Sequence, residues 1–271
     1  GTGVDAIDIA TATGGIKITP KSDGKTENVG TFQVSSPTND NTSDYTFSSN
    51  EAGTITYGGS CSSSDNSDNS TSGGDKTITF DALVDGTYDN CTISVTDNTS
   101  NTSDNLSVSS FTIDTTAPTL DNVTIASDNT LNTTLAKIDD NITLSFTSRE
   151  AIKTPSVSIA GQAVEASSGD NMTWSATYKM RETDSDSGSQ KLVSLNIEFK
   201  DLAGNPGSAV TSTIGGSAVL FDKTNPTLSS VTIASNNSVS TMAKTGDNIT
   251  LSFTSSEAIQ TPTSVKIAGH T

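Results

Sequence analysis

The residues best suited to chemistry in this sequence are acidic and amide side chains that recur beside turn-forming segments. Asp114 opens the segment Asp-Thr-Thr-Ala-Pro, and Glu150 follows a run of alternating apolar residues. Asp201 and Asn205 lie four residues apart in the segment Asp-Leu-Ala-Gly-Asn. Ca²⁺ prefers roughly six to eight oxygen ligands, several of them carboxylates, and tolerates irregular geometry. These residues are therefore candidate ligands of a structural calcium ion.

Part of this set occurs a second time. Asp222 stands before Lys-Thr-Asn-Pro, and Glu257 precedes Ala-Ile as Glu150 does. A second calcium site is the corresponding expectation. The alternative at both places is a purely structural role, because Asp and Asn side chains also bond the backbone amides of their own turns.

Cys61 and Cys91 are the two cysteines of the sequence. In an oxidising compartment such a pair is expected to form a disulfide. Closing a loop of this size contributes about 3–4 kcal/mol in the chain-entropy model. A metal site built on these cysteines is disfavoured, because His270 is the single histidine that could complete it.

Catalysis has little support in the sequence. His270 lies far from any nucleophile, and no Gly-rich phosphate loop or zinc-ligand spacing occurs. Asp184 and Asp186 resemble the carboxylate pair of a glycosidase but fall in a polar turn. Trp174 belongs to an alternating strand, which favours a core position over a sugar-stacking platform. The chain is therefore expected not to be an enzyme.

Internal repetition organises these residues. The segments that follow Pro118 and Pro226 are nearly identical, and the two prolines are 108 residues apart. The eight residues from Asn248 to Ser255 repeat those from Asn141 to Ser148 without a change. A long-period repeat of this kind indicates tandem modules, so the prolines mark joints between modules.

Short alternating runs predict the elements of each module. Ile142, Leu144 and Phe146 alternate with polar residues, as a half-buried strand requires. About seven such runs separated by turn signals in each repeat predict an all-β fold of tandem immunoglobulin-like β-sandwiches. In such a sandwich the loop after the second strand and the loop before the last strand lie at the pole where the chain enters. Glu150 and Asp201 should therefore meet Asp114 there.

The repeats divide the chain into four predicted segments. Residues 1–29 are a strand-like extension or the end of a preceding module, and residues 30–114 form a first module that contains the cysteines. Residues 115–222 form a second module, and residues 223–271 form an incomplete third module. The last segment lacks counterparts of the strands that begin with Trp174, so its core is expected to be open.

Composition limits the partners. The net charge is −17, from 31 acidic and 14 basic residues, which disfavours binding to nucleic acid or to anionic membranes. No membrane-spanning segment is visible in the sequence. Abundant Ser, Thr, Asn and Asp disfavour helices and suit strands with many turns.

The recurring motifs resemble a known family. Asp-Thr-Thr-Ala-Pro-Thr-Leu, Asn-Ile-Thr-Leu-Ser-Phe-Thr-Ser and Asp-Leu-Ala-Gly-Asn occur in order, as in the bacterial Ig-like repeats of large secreted surface proteins and adhesins. The resemblance covers about residues 34–271. It implies an extracellular or cell-surface location and agrees with calcium at the joints between modules.

Three functions remain open at this stage. The first is a stalk or adhesin element whose partners are neighbouring copies, other surface components or glycans. The second is a subunit of an extracellular filament, in which residues 1–29 of one copy donate strands to the open third module of the next. The third is a carbohydrate-binding module, which would require a cluster of exposed aromatic residues.

Overall fold

The computed structural model describes residues 9–12, 15–18, 29–30, 34–184, 191–216 and 218–268. Asp186, His270 and most of the predicted extension 1–29 lie outside these ranges. The described residues form an all-β structure of several sheets without an α-helix. This agrees with the predicted fold class at the level of β-sandwich architecture.

The first strands form a small sheet of their own. β1 (Ile9–Ala12) and β2 (Gly15–Ile18) pair antiparallel, with Ile9 opposite Ile18. β3 (Val29–Gly30) pairs instead with the long strand β4 (Asp44–Gly58). β3 therefore crosses the predicted boundary at residue 30.

A first unit is built around β4. Its other elements are a 3₁₀ helix (Asn66–Asn69), β5 (Ser70–Thr79), β6 (Gly86–Tyr88), β7 (Thr92–Thr96), β8 (Leu106–Ser107) and β9 (Phe111–Ile113). The main sheet has the order β3-β4-β7-β8 with β5 also on β4, and β6 pairs with β9. Tyr45 on β4 lies opposite Ile78 on β5, and Ile55 lies opposite Val95 on β7.

One hydrophobic core unites the first unit. Its buried side chains come from both sheets and include Phe47, Phe80, Ile93 and Phe111. They alternate with polar residues along their strands because successive side chains of a strand point to opposite faces. Cys61 and Cys91 are also buried members of this core.

A second unit contains ten strands. They are β10 (Leu120–Ser127), β11 (Leu135–Ala136), β12 (Asn141–Ser148), β13 (Ser156–Ile159), β14 (Gln162–Val164), β15 (Ala166–Ser168), β16 (Thr173–Lys179), β17 (Lys191–Leu192), β18 (Leu195–Glu198) and β19 (Leu220–Phe221). Their sheets have the orders β10-β12-β16-β15, β14-β13-β18 and β11-β19-β17.

A separate core fills the second unit. On β12 and β16 the buried residues face one another in register, with Phe146 opposite Trp174 and Ile142 opposite Tyr178. Side chains of β13 and β18 join the same cluster from another sheet, as in a β-sandwich. The loops that leave this core carry the candidate ligands.

The last two strands repeat part of the second unit. β20 (Leu228–Ser235) and β21 (Ile249–Ser255) form a two-stranded antiparallel sheet. Neither strand contributes to the two core clusters of the described residues. The described part of the chain contains no helix with the length and apolarity that a transmembrane span requires.

Candidate metal centre

Asp114 lies directly after β9, where the first unit ends. Its backbone N–H donates to the carbonyl of Thr38 at 2.9 Å, which fixes the start of the linker to the first unit. Its Oδ1 accepts a hydrogen bond from the Thr116 N–H at 3.1 Å. The second carboxylate oxygen remains able to meet a ligand.

Glu150 lies two residues beyond the end of β12. The Ser148 hydroxyl donates to the Glu150 carbonyl at 2.5 Å and also reaches the Met172 carbonyl at 3.3 Å. These bonds fold the backbone sharply after the strand. The Glu150 side chain is half-buried as a result, at the same end of the unit as the linker.

Asp201 and Asn205 close a tight loop after β18. The Asp201 Oδ1 accepts the N–H groups of Gly204 and Asn205, and Asn205 Nδ2 donates to Asp201 Oδ2 at 2.7 Å. The Asp201 backbone N–H donates to the Asn205 carbonyl at 3.1 Å. The loop buries Asp201 almost completely, with 1% of its surface exposed.

Asn205 links this loop to the linker between the units. Its Nδ2 also donates to the backbone carbonyl of Asp114 at 2.7 Å. In the structure the amide nitrogen of Asn205 donates to Asp201 and Asp114, and the predicted role of its amide oxygen as a ligand stays a prediction. Asn205 therefore positions the carboxylates, and the Asx-type turn expected as the structural alternative is present as well.

The three carboxylates converge. One oxygen from each of Asp114, Glu150 and Asp201 lies within 4.8 Å of the others. Burial and the charges of Asp114 and Asp201 raise the pKa of Glu150. Among the described residues none of the three forms an ion pair with Lys or Arg. The cluster thus concentrates negative charge that no Lys or Arg of the described residues offsets by an ion pair.

This arrangement suits a hard cation. Three carboxylates from separate loops supply both the charge and the irregular geometry that Ca²⁺ accepts, with water or carbonyl oxygens for the remaining positions. A bound cation would also remove the electrostatic cost of holding like charges together. Asp114, Glu150 and Asp201 are the residues that would hold it.

The second joint reproduces two of these positions. The Asp222 backbone N–H donates to the Ala136 carbonyl at 2.9 Å, and its Oδ1 accepts a hydrogen bond from the Thr224 N–H at 2.9 Å. Asp114 makes the corresponding two bonds with Thr38 and Thr116. The Ser255 hydroxyl donates to the Glu257 carbonyl. Both acids line an open cleft of about 470 Å³.

Glu257 differs from Glu150 in one respect. Its Oε1 is buried and has no hydrogen-bond partner among the described residues. The described residues of this joint provide no counterpart of the Asp201–Asn205 loop, and no three-carboxylate group forms there. At the first joint the structure brings together the three predicted acids Asp114, Glu150 and Asp201. At the second joint it places two acids, Asp222 and Glu257, on one cleft.

A related loop occurs at the head of the first unit. Asn101 Nδ2 donates to Asp97 Oδ2 at 2.9 Å, and the Asn101 N–H donates to Asp97 Oδ1 at 2.8 Å. Hydrogen bonds from Asn101 and Thr99 lower the pKa of Asp97 to about 2. This Asp97 loop is exposed, unlike its counterpart at Asp201.

Asp68 and Asp140 are buried acids that the sequence pattern did not indicate. Asp68 is 6% exposed and accepts hydrogen bonds from Ser63, Lys76 and the Thr79 N–H. Asp68 lies in a run of Ser, Asp and Asn without apolar periodicity. In the sequence, only Lys76, eight residues later, indicated a possible ion-pair partner. Asp68 organises its loop and contacts none of the joint carboxylates.

Cys61 and Cys91 form the expected disulfide. Their Cα atoms are 5.3 Å apart, and both residues are buried. The described residues include no free cysteine. Trp174 is buried in the second core, as its alternating strand indicated.

Comparison with known proteins adds no family. No protein-family model matches the chain, and no curated protein matches it. The solved D00–D0 domain of intimin is similar over 73% of this chain and 100% of its own length, with 15% identity and a TM-score of 0.29. The Bacteroides ovatus mixed-linkage glucan utilization locus protein SGBP-B, in complex with a mixed-linkage heptasaccharide, is similar over 78% of this chain and 49% of its own length. For the latter the identity is 14% and the TM-score 0.20. Both scores are too low to assign a shared fold, so function is argued from the geometry of the chain itself.

Proposed function

We propose that this chain is a non-enzymatic structural segment of a bacterial cell-surface protein. In this role Ig-like β-sandwiches follow one another in tandem, and calcium stiffens the joint at Asp114. The single observation that carries the proposal is the convergence of Asp114, Glu150 and Asp201 at that joint.

The position of the three carboxylates would let a bound cation restrict bending between the two units. Asp114 belongs to the linker, whereas Glu150 and Asp201 belong to loops of the second unit. A cation bound by all three would tie the linker to the unit that follows it. Calcium would thereby restrict bending between successive cores, which is what an extended stalk requires.

Two further observations support the proposal, one for the compartment and one for the cation. The disulfide suits an oxidising compartment. The unpartnered Glu257 oxygen at the second joint would be satisfied by a cation in the same way. A row of similar joints is the expected consequence of tandem repetition.

Calorimetry tests calcium binding directly. We expect the chelator-treated chain to bind Ca²⁺ and to become more stable by about 2.7 kcal/mol when free Ca²⁺ is a hundredfold above its dissociation constant. Asp201→Asn should remove the part of the binding heat that comes from the joint at Asp114. The matched control is Glu165→Gln, since Glu165 is an exposed acid of the same unit. Absence of binding heat together with an unchanged melting temperature would overturn the calcium proposal.

A further inference from the structure

The start of the linker between the first and second units is bonded to the first unit on both of its edges. On one edge Thr38 forms a parallel bridge with Ile113, and the Asp114 N–H donates to the Thr38 carbonyl at 2.9 Å. On the other edge Gly86, the first residue of β6, pairs with Ile113. The backbone of Asp114 therefore continues β9 and moves with the first unit.

Asp85 extends this attachment by two residues. Its Oδ1 accepts hydrogen bonds from the Thr115 N–H at 2.9 Å and from the Thr115 hydroxyl at 2.7 Å. Its Oδ2 accepts a hydrogen bond from the Thr116 hydroxyl at 2.9 Å. Hydrogen bonds to a carboxylate are stronger than those between neutral groups, and these three lower the pKa of Asp85. One side chain thus holds two successive residues of the linker.

The second unit holds the chain from Thr119 onward. The Thr119 carbonyl accepts a hydrogen bond from the Arg149 N–H at 3.1 Å, and β10 begins at the next residue. Ala117 and Pro118 are the two residues between these attachments. Proline has a fixed φ angle, and the residue before it is restricted to extended conformations. The segment between the attachments is therefore short and has few free backbone angles.

The second joint has the same organisation with different residues. Lys223, which takes the place of Thr115, donates from Nζ to the carbonyls of Glu182 at 2.9 Å and Asp184 at 3.1 Å. The Thr227 carbonyl accepts a backbone N–H from the turn after β21 at 2.8 Å. Residues 225–226 again lie between the two attachments and end in proline. Attachment of the linker to the preceding unit is thus a feature of both joints.

We propose that Asp85 is a positioning residue that makes residues 114–116 part of the first unit and confines bending between the two units to Ala117–Pro118. Because the Asp114 carbonyl is fixed to the first unit, the hydrogen bond that it accepts from Asn205 Nδ2 crosses this two-residue hinge. Asp85 thereby controls how Asp114 faces the second unit. The proposal goes beyond the calcium-stiffened joint, since it concerns hydrogen bonds of the linker and does not require a cation.

Pulsed electron paramagnetic resonance between two spin labels tests the position of the hinge. The labels are attached at Ser72→Cys in the first unit and at Thr177→Cys in the second, both exposed strand positions, and calcium is removed with chelator. Asp85→Ala is expected to broaden the distribution of distances between the labels, because the bend then extends back to Thr115. Asp89→Ala removes an exposed acid of the same unit and, as the matched control, should leave the distribution unchanged.

Two further variants separate the linker bonds from the hinge itself. Thr115→Val with Thr116→Val removes both hydroxyl donors to Asp85, so it should broaden the distribution and add little when combined with Asp85→Ala. Pro118→Gly frees the φ angle inside the hinge and should broaden the distribution while Asp85 keeps its bonds. Thermal unfolding of each variant shows whether the first unit stays folded.

Three results would overturn the proposal. Asp85→Ala could give the same distribution as Asp89→Ala, which would assign Asp85 a purely local role in the first unit. The changes at Asp85 and at the two threonines could broaden the distribution additively, which would show that they act independently. Pro118→Gly could leave the distribution unchanged, which would place the bend elsewhere.

Repeating the measurement with saturating Ca²⁺ keeps the two proposals apart. If Ca²⁺ narrows none of the distributions, calcium stiffening fails, whereas the broadening caused by Asp85→Ala in chelator still supports the hinge.

Discussion

Asp201 and Asp97 occupy the same kind of hydrogen-bonded loop in different surroundings. In both loops an Asn four residues later donates its side-chain amide to the carboxylate. Asp97 is half-buried at the start of an exposed loop, whereas Asp201 is buried beside two other acids. The loop itself is therefore a turn motif, and the neighbouring carboxylates create the candidate cation site.

The raised pKa of Glu150 gives a prediction with a defined sign. A carboxyl group whose pKa is raised in the folded state contributes stability below the ordinary pKa of glutamate and loses it as pH rises through the raised pKa. Without divalent cations, Glu150→Gln should therefore raise the melting temperature at pH 7. With saturating Ca²⁺ the same change should lower the stabilisation gained from the ion. Paired thermal scans with chelator and with Ca²⁺ measure both effects, and Glu165→Gln should show neither.

For single residues, the sequence predicted which side chains lie close together better than it predicted what each of them bonds. The proximity of Asp114, Glu150 and Asp201 followed from the repeat pattern and the order of loops in a sandwich. The donor role of Asn205 could not be read from sequence, because an amide side chain offers both a donor and an acceptor. Calcium binding stays a prediction.

The strands β12 and β21 can be compared through Phe146 and Phe253. They occupy the same position in identical strands, yet Phe146 is buried in a core and Phe253 is partly exposed. Phe146→Ala should destabilise the second unit by about 3–5 kcal/mol, which is the usual cost for a buried aromatic residue. Phe253→Ala should cost less than about 1 kcal/mol, because its side chain is partly exposed. Urea unfolding monitored by Trp174 fluorescence reports the first effect, and equal losses for both variants would contradict the burial difference.

Asp68 makes the 3₁₀ helix and β5 into one ordered element. Its carboxylate accepts from the Thr79 N–H at 2.9 Å and pairs with Lys76 at 3.2 Å, and its carbonyl accepts from the Tyr57 hydroxyl. Asp68→Ala should cost roughly 1–3 kcal/mol, because it leaves buried donors unsatisfied. Hydrogen exchange of residues 62–79 should accelerate in this variant. Asp75→Ala, an exposed change on β5, should leave exchange unchanged.

Alternation in the sequence located the strands that border a core and missed those that do not. β12 and β16 were evident because each places every second residue in the interior. The polar run from Ser62 to Gly74 has no apolar alternation in its sequence, yet it includes the 3₁₀ helix and the start of β5. Its strand pairs through the backbone with β4 while most of its side chains face solvent, so no apolar period marked it.

For the whole molecule, both a bound Ca²⁺ ion and the net negative charge are expected to affect how extended the chain is. The chain carries a net charge of −17, which favours extension through self-repulsion at low salt. We expect Ca²⁺ to narrow the distribution of interunit distances in small-angle X-ray scattering by tying Asp114 to the second unit. Matched ionic strength from NaCl should not reproduce this narrowing, and Asp201→Asn should remove it. An identical response to NaCl and CaCl₂ would assign the effect to screening alone.

The parallel pairing at the end of each unit has a consequence for load along the chain. In the second unit β11 pairs in parallel with β19, and in the first unit Thr38 forms a parallel bridge with Ile113. Tension applied between residues 115 and 222 pulls β11 and β19 in opposite directions along their length. The backbone bonds between them are then sheared together rather than broken in sequence from one end. A unit held in this way should resist stretching through its short terminal strands, and the force needed to extend it would depend on a few hydrogen bonds beside β11 and not on the size of the core.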